Sequence, residues 1–223
     1  MILAAGRGER MRPLTDTIPK PLLLAGENPL IVWHLERLAA SGFSEIVINH
    51  AHLGQLIEEV LGNGERWGVN IRYSPEPDGA LETAGGIAQA LPLLGKESFL
   101  VVNGDVWCDW DFKRAYQLSE HYAHLILVNN PPEHADGDFC LSGETVCHIG
   151  KASAKTLTYA GIGIFSPDFF SCVPQGSVFK MYPLLSEAIT QGKVTGEHHP
   201  GKWMDVGTPL RLQELNRQLR GLK

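Results

Sequence analysis

Leu3-Ala4-Ala5-Gly6-Arg7-Gly8-Glu9-Arg10-Met11-Arg12-Pro13-Leu14-Thr15, followed by Pro19-Lys20-Pro21-Leu22, reads as a short apolar strand running into a basic, glycine-containing turn. Small residues let such a backbone close on a phosphate chain. Arg10, Arg12 and Lys20 add the positive charge that attack on a phosphorus bearing anionic oxygens requires. The commoner phosphate loops do not fit. No Lys-Ser/Thr follows a second glycine, as a Walker A loop demands, and Met11 stands where a dinucleotide-binding Gly-x-Gly-x-x-Gly needs its third glycine.

Beyond this turn, strand and helix patterns alternate, which predicts an α/β fold. Asn28-Pro29 reads as an N-cap and N1 pair, and Leu30, Ile31, Leu35 and Leu38 then recur at helical spacing until Gly42. Glu45 to Asn49 reads as a strand, Leu53 to Leu61 as a helix closed by Gly62-Asn63-Gly64, Val69 to Ser74 as a strand and Thr83 to Leu91 as a helix. Ser98 to Val102 is nearly continuously apolar, as in a parallel strand buried on both faces. Later come a strand at Leu125 to Val128, a Gly143-centred hairpin, a strand at Tyr159 to Phe165, and helices near Tyr182 to Thr190 and Pro209 to Leu219. The expected architecture is a three-layer, Rossmann-like fold with a mostly parallel central sheet. With 223 residues and 43% hydrophobic content, the chain is expected to form one domain, 1–223, around one substantial core.

Asn103-Gly104-Asp105 follows the central strand. In open α/β sheets ligands sit at the carboxyl ends of strands, so Asp105 is expected to face the same crevice as the basic turn. A strand-end Asp suits Mg²⁺, which takes one or two carboxylates and keeps waters and substrate phosphates as its other ligands. A plain strand-terminating turn has the same sequence.

The opening string resembles the signature of the sugar-1-phosphate nucleotidylyltransferases, Leu-Ala-x-Gly-x-Gly-Thr-Arg-Leu/Met-x-Pro-Leu-Thr and then Pro-Lys-Pro. The resemblance extends over nearly the whole chain and stops without the β-helix domain carried by some relatives. It implies that Leu3, Ala4, Ala5, Gly6, Arg7 and Gly8 cradle the nucleotide, with Arg10, Lys20 and Asp105 catalytic. Glu9 departs from the family Thr and is expected to point away from the triphosphate. Trp203-Met204-Asp205-Val206-Gly207-Thr208 resembles the family's Trp-x-Asp-x-Gly-Thr, which implies Asp205 as a second Mg²⁺ ligand beside Asp105. Glu82-Thr83-Ala84-Gly85-Gly86 resembles a Gly-Thr-Ala-Gly stretch near the base and ribose. Thr83, Gly85, Asn103 and, upstream, Glu76 are therefore expected at the nucleotide, and Glu82 replaces a common glycine. Asp138, Lys151 and Gly161 match positions that bind the sugar phosphate in relatives.

The reaction so implied joins UTP to a sugar 1-phosphate and releases pyrophosphate. Within the family the likeness is greatest to the bacterial N-acetylmuramate-1-phosphate uridylyltransferases of cell-wall recycling, with the mannose-1-phosphate guanylyltransferases as the alternative. Two other classes stay open: Asp109-Trp110-Asp111 has the form of the Asp-x-Asp of UDP-sugar-dependent glycosyltransferases, and a non-catalytic nucleotide-binding subunit would share the fold.

Composition excludes several roles. A net charge of −6 without a long basic run disfavours nucleic acid. No apolar run spans a bilayer, so no membrane partner and a cytoplasmic location are expected. Cys108, Cys140, Cys147 and Cys172 form no Cys-x-x-Cys pair and are expected to be reduced. His50-Ala51-His52 and His198-His199 lack an obvious third ligand, so neither reads as a zinc site. A monomer is the expected state, although no residue pattern determines it.

Overall fold

The structure, a computed structural model, describes residues 1–77, 79–150 and 155–220. The first half lays down β1 (Ile2–Leu3), β2 (Leu24–Ala25), β3 (Asn28–Pro29), α1 (Leu30–Ala40), β4 (Glu45–His50), α2 (Gly54–Leu61), β5 (Asn70–Pro75), α3 (Glu82–Leu94) and β6 (Phe99–Asn103). The second half adds β7 (Val106–Cys108), β8 (Ala123–Val128), the hairpin β9 (Phe139–Ser142) and β10 (Thr145–Cys147), β11 (Thr156–Phe165), α4 (Met181–Thr190), β12 (Val194–His198), β13 (Trp203–Asp205) and α5 (Pro209–Arg220). The main sheet has nine strands in the order β5-β4-β1-β6-β11-β8-β12-β10-β9, and β13–β7 and β2–β3 form two small ribbons.

The α/β class holds, but the sheet is mixed where a mostly parallel one was expected. β5, β4, β1 and β6 are mutually parallel, as are β8 and β12. β11 runs antiparallel to both β6 and β8, and β9 and β10 pair antiparallel with each other. A parallel neighbour needs a crossover, usually through a helix. Strands β9, β10 and β11 follow one another with no helix described between them, so they fold back as antiparallel neighbours.

The central strands alternate between two cores. In β6, Val101 packs with α3 and α4 on one face, while Leu100 and Val102 pack with α1 and α2 on the other. β8 does the same with Leu125 and Leu127 against Ile126 and Val128. Removing such a buried Leu costs roughly 2–5 kcal/mol, which holds the register of the strand ends on which the site depends. A third, smaller core lies under α5, where Leu212, Leu215 and Leu219 meet Met11, Leu23 and Leu30.

The first helix begins one residue later than expected. Asn28-Pro29 is held as a strand against Leu24-Ala25, and Leu30 N donates to Leu23 O, so helical geometry starts at Leu30. Cys140 and Cys147 are register partners across the hairpin, with Cα atoms 5.1 Å apart, and form a disulfide, against the expectation of reduced thiols. Cys108 and Cys172 are free. Among the described residues no helix is long and apolar enough to cross a membrane.

His34 on α1 is buried at 2% exposure, and neither ring nitrogen has a hydrogen-bond partner among the described residues. Burial, with Arg37 acting in the same direction, pushes its pKa from 6.5 down to about 4. The unfolded chain therefore binds the extra proton between these values, so this group costs stability as pH falls through that window. His34→Leu should shrink the loss of stability between pH 7 and pH 5, read as the shift in urea midpoint. An undiminished loss would show that the acid sensitivity arises elsewhere.

Candidate active site

Parallel pairing puts one row of residues across the carboxyl ends of the strands. Leu3 is register partner to both Asn49 and Asn103, and Asn49 to Ser74. On β11, Ile162 is opposite Val102, which brings Gly161 beside Asn103. At Gly161 φ is +70° and any Cβ would press on the Asn103 amide, so only glycine fits. Two cavities open along this row, of about 340 and 500 Å³. Asn103 and Asp105 line both.

The first cavity is walled by Leu3, Ala4, Ala5 and Gly6 on one side, and by Glu76, Gly79, Ala80, Glu82 and Thr83 on the other. Asn49 ties the walls together. Its Oδ1 accepts from Ala4 N at 2.9 Å, and its Nδ2 donates to Glu76 Oε1 at 2.6 Å. The second Glu76 oxygen accepts from Leu81 N at 2.7 Å. The helix residue facing this network is Gly86, where a Cβ would run into the Glu76 carboxylate. Lys20, 8% exposed, projects from the turn after Pro19 and donates from Nζ to Asp105 Oδ2 at 2.5 Å.

The basic turn separates its charges. Arg7 Nη1 donates to Thr15 O at 2.7 Å and Nη2 pairs with Asp16 at 3.3 Å. Arg12 pairs with Glu9 at 3.3 Å and Asp16 at 3.2 Å. Glu9 is exposed on this outer network, away from Lys20 and Asp105. Gly8, at φ +72°, packs against Thr15 and Lys20, outside the cavity lining. Met11 is fully buried in the third core and anchors the turn. Arg10 leaves this network and lines the second cavity instead of the first.

Asp205 comes to the site from the far end of the chain. β13 pairs with β7 so that Asp205 is opposite Val106, and Val206 N donates to Asp105 O at 2.8 Å. Both carboxylates line the second cavity. Arg211 on α5 donates from Nη1 to Asp205 Oδ2 at 2.7 Å and pairs with Glu133 through Nη2. Gly207 has no room for a Cβ between Arg10 Nη2 and Asp205 Oδ2. Asp105 and Asp205 thus each have one oxygen held by a cation. The other oxygen of each has no hydrogen-bond partner among the described residues. Two such oxygen donors facing one cavity fit a hard divalent cation, and the imidazole that lines the same cavity, His134, is engaged by Asp138.

The remaining expected positions divide. Thr83 lines the first cavity, and Gly161 the second. Gly85 does not line the first cavity. Its N–H donates to Phe179 O and its Cα lies against Ser177 O, so its small size serves packing of α3 on the 177–179 segment. Asp138 stands behind the second cavity, accepting from Tyr159 N at 2.8 Å and pairing with His134 at 2.9 Å. Tyr159 and His134 do line it. Lys151 lies outside the described residues.

Asn49, Arg211 and Glu133 were missed in the sequence reading. A signal for Asn49 existed, since Ile46-Val47-Ile48-Asn49 and Leu100-Val101-Val102-Asn103 are both apolar strands ending in Asn.

The Asp109-Trp110-Asp111 string and the paired histidines have structural partners. Asp109 Oδ1 accepts from Lys202 N at 2.8 Å and lies 2.7 Å from His199 Nε2, while Asp111 accepts from Lys113 N at 3.0 Å. Neither carboxylate is in the lining of the two cavities above, and their hydrogen bonds make Asp109-Trp110-Asp111 a loop anchor. Cys108 approaches Asp109 and His199 closely, but it is fully buried and its thiol is pushed up to about 11 by that burial. His50 meets Glu58 at 2.7 Å and His52 meets Thr15 O at 3.0 Å.

Comparison with known proteins agrees with this geometry. The nucleotidyl transferase family model matches residues 1–139. The chain is 58% identical to the N-acetylmuramate alpha-1-phosphate uridylyltransferase of Neisseria meningitidis serogroup B, over 96% of this chain and 95% of that protein. It is 34% identical to the enzyme of the same name from Caulobacter vibrioides, over 94% and 91% of the two chains. Among solved structures, a candidate glucose-1-phosphate thymidylyltransferase from Bacillus anthracis, solved with sucrose, superposes with a TM-score of 0.85 at 22% identity, covering 100% of this chain and 95% of that one. The family model spans more than half of the chain and the relatives nearly all of it: the chain belongs to the nucleotidyl transferase family.

Proposed function

We propose that this protein transfers the uridylyl group of UTP to N-acetylmuramate 1-phosphate, giving the UDP-sugar and pyrophosphate, as a cytoplasmic enzyme of cell-wall recycling. The observation that carries the reading is the meeting of two cavities at Asn103 and Asp105. A group transfer between two bound substrates needs two pockets sharing the reacting centre. The likeness to the Neisseria and Caulobacter enzymes supports the choice of base and sugar.

In this reading the triphosphate lies along Leu3, Ala4, Ala5 and Gly6 in the first cavity, and the sugar phosphate occupies the second, near Arg10, Gly161 and Arg211. Lys151 is assigned to the sugar phosphate from sequence alone, and Asp138 orients Tyr159 and His134. An oxygen of the sugar phosphate attacks the α-phosphorus. The new P–O bond forms as the bond to the β-phosphate bridging oxygen breaks in line, and pyrophosphate leaves with the electron pair. The attacking phosphate is already ionised, so no general base is required. Lys20 and Arg10 oppose the charge that grows on the α-phosphoryl oxygens and the departing pyrophosphate. Asp105 and Asp205 would hold Mg²⁺, which when bound neutralises phosphate charge and aligns the reacting oxygens.

Pyrophosphate release from a matrix of nucleoside triphosphates against sugar 1-phosphates tests the assignment. UTP with N-acetylmuramate 1-phosphate should be the best pair, and better turnover of GTP with mannose 1-phosphate would replace it. Asp105→Asn and Asp205→Asn should each lower kcat by about 100-fold or more, the scale of losing a main electrostatic stabiliser, with the larger drop in thermal midpoint at Asp105, whose loss strands the buried Lys20. Wild-type turnover of Asp205→Asn at saturating Mg²⁺ would remove that residue from the metal site.

The loop cations give a second comparison. Lys20→Ala and Arg10→Ala should reduce kcat strongly, whereas Arg7→Ala should do so less, because Arg7 is engaged by Thr15 and Asp16 on the outer network. Equal damage at Arg7 and Lys20 would mean that the turn rearranges around the triphosphate.

A further inference from the structure

Glu82 adopts φ +60°, in the left-handed region that glycine occupies without strain. Its neighbour Ala80 does the same at φ +58°. The turn is pinned between them: Leu81 N donates to Glu76 and Leu81 O accepts from Phe179 N, so Glu82 cannot relax on its own. The structural return on that strain is small. Glu82 stands in the first turn of α3, where a carboxylate favours the helix N-terminus, but its side chain is exposed, so that effect is weak, and it has no hydrogen bond or ion pair among the described residues. It lines the first cavity, together with Leu3–Gly6. Strain with so small a structural return, at the wall of a binding cavity, is the pattern of a group held for a ligand.

Resting on the nucleotidyl-transfer reading above, we propose that the Glu82 carboxylate is a specificity determinant for the nucleoside part of the donor. An ionised carboxylate only accepts hydrogen bonds, and it repels the triphosphate. Its partners are therefore the uncharged N–H or O–H donors of the nucleoside, either the ribose hydroxyls or the imide N–H of the base. The two oxygens match a vicinal diol best, and a charge-assisted bond is stronger than a neutral one.

The test measures dissociation constants for UTP, 2′-deoxy-UTP and 3-methyl-UTP by calorimetry, with GTP and 2′-deoxy-GTP in parallel. It uses wild type, Glu82→Gly and Glu82→Gln, with thermal midpoints and pyrophosphate release recorded alongside. Wild type should bind the analogue that lacks the relevant donor about 10- to 100-fold more weakly, the range of one hydrogen bond to a charged group. Glu82→Gly should bring that ratio to within about 3-fold, with an unchanged or raised thermal midpoint because glycine removes the strain. Glu82→Gln should fall between. Loss of discrimination against the deoxy analogue assigns the contact to the ribose, and loss against the methyl analogue to the base. A Glu82→Gly protein that keeps every wild-type ratio, or a wild type that discriminates against neither analogue, overturns the proposal. Absence of turnover with any sugar 1-phosphate would instead overturn the reaction assigned above, while the binding ratios still decide the role of Glu82.

Discussion

A buried ammonium requires an anion, and among the described residues the ion-pair partner of Lys20 is Asp105, 2.5 Å away. That contact joins the turn after β1 to the end of β6, segments separated by 85 residues. Isolating a charge in a poorly solvated place is costly, so the turn cannot leave the strand end without stranding Lys20. The cost is moderated because the Asp105 side chain is about a third exposed, at 34%. The pair thus draws the basic turn over the sheet and defines where the two cavities meet.

The same economy of charge recurs at Asp205. Arg211 and Asp205 pair at 2.7 Å, and Glu133 completes the cluster on the other side of the guanidinium. A cavity lined by several charges must avoid both excess negative and excess positive charge. Here each of the two cavity-facing aspartates carries a cationic neighbour on one oxygen, and the other oxygen has no hydrogen-bond partner among the described residues. The outer network of Arg7, Arg12, Glu9 and Asp16 performs a different task, since it stiffens the turn and keeps two arginines out of the cavities.

Between these charges the frame is neutral and hydrogen-bonded. Asn49, next to last in β4, and Asn103, last in β6, lie in one register row, and their amides meet Ala4, Glu76 and the space that only Gly161 leaves open. The sheet explains why asparagine serves at both places. A parallel strand buried on both faces presents its last residue to the crevice, where an amide can donate and accept without a charge of its own.

Much of this was legible in the residues. The spacing of Gly6, Arg10, Met11 and Lys20 carried the phosphate chemistry, and the apolar run before Asn103-Gly104-Asp105 identified a strand end at the crevice. The Gly143 hairpin and the leucines of α5 followed from local pattern, because such patterns report which face of a segment is buried. Other features had no local signal. Whether Gly85 meets a nucleotide or the 177–179 segment depends on what packs on α3. That Arg10 turns toward Asp205 depends on β13 pairing with β7, and the antiparallel direction of β11 on the missing crossover helix. That Arg211 and Glu133 meet depends on the docking of α5. The sequence by itself determined residue chemistry, local periodicity and the α/β class, all of which are settled within a few turns or strands. Only the tertiary structure decided which side chains share a cavity, because strand register and helix docking bring together atoms that are a hundred residues apart along the chain.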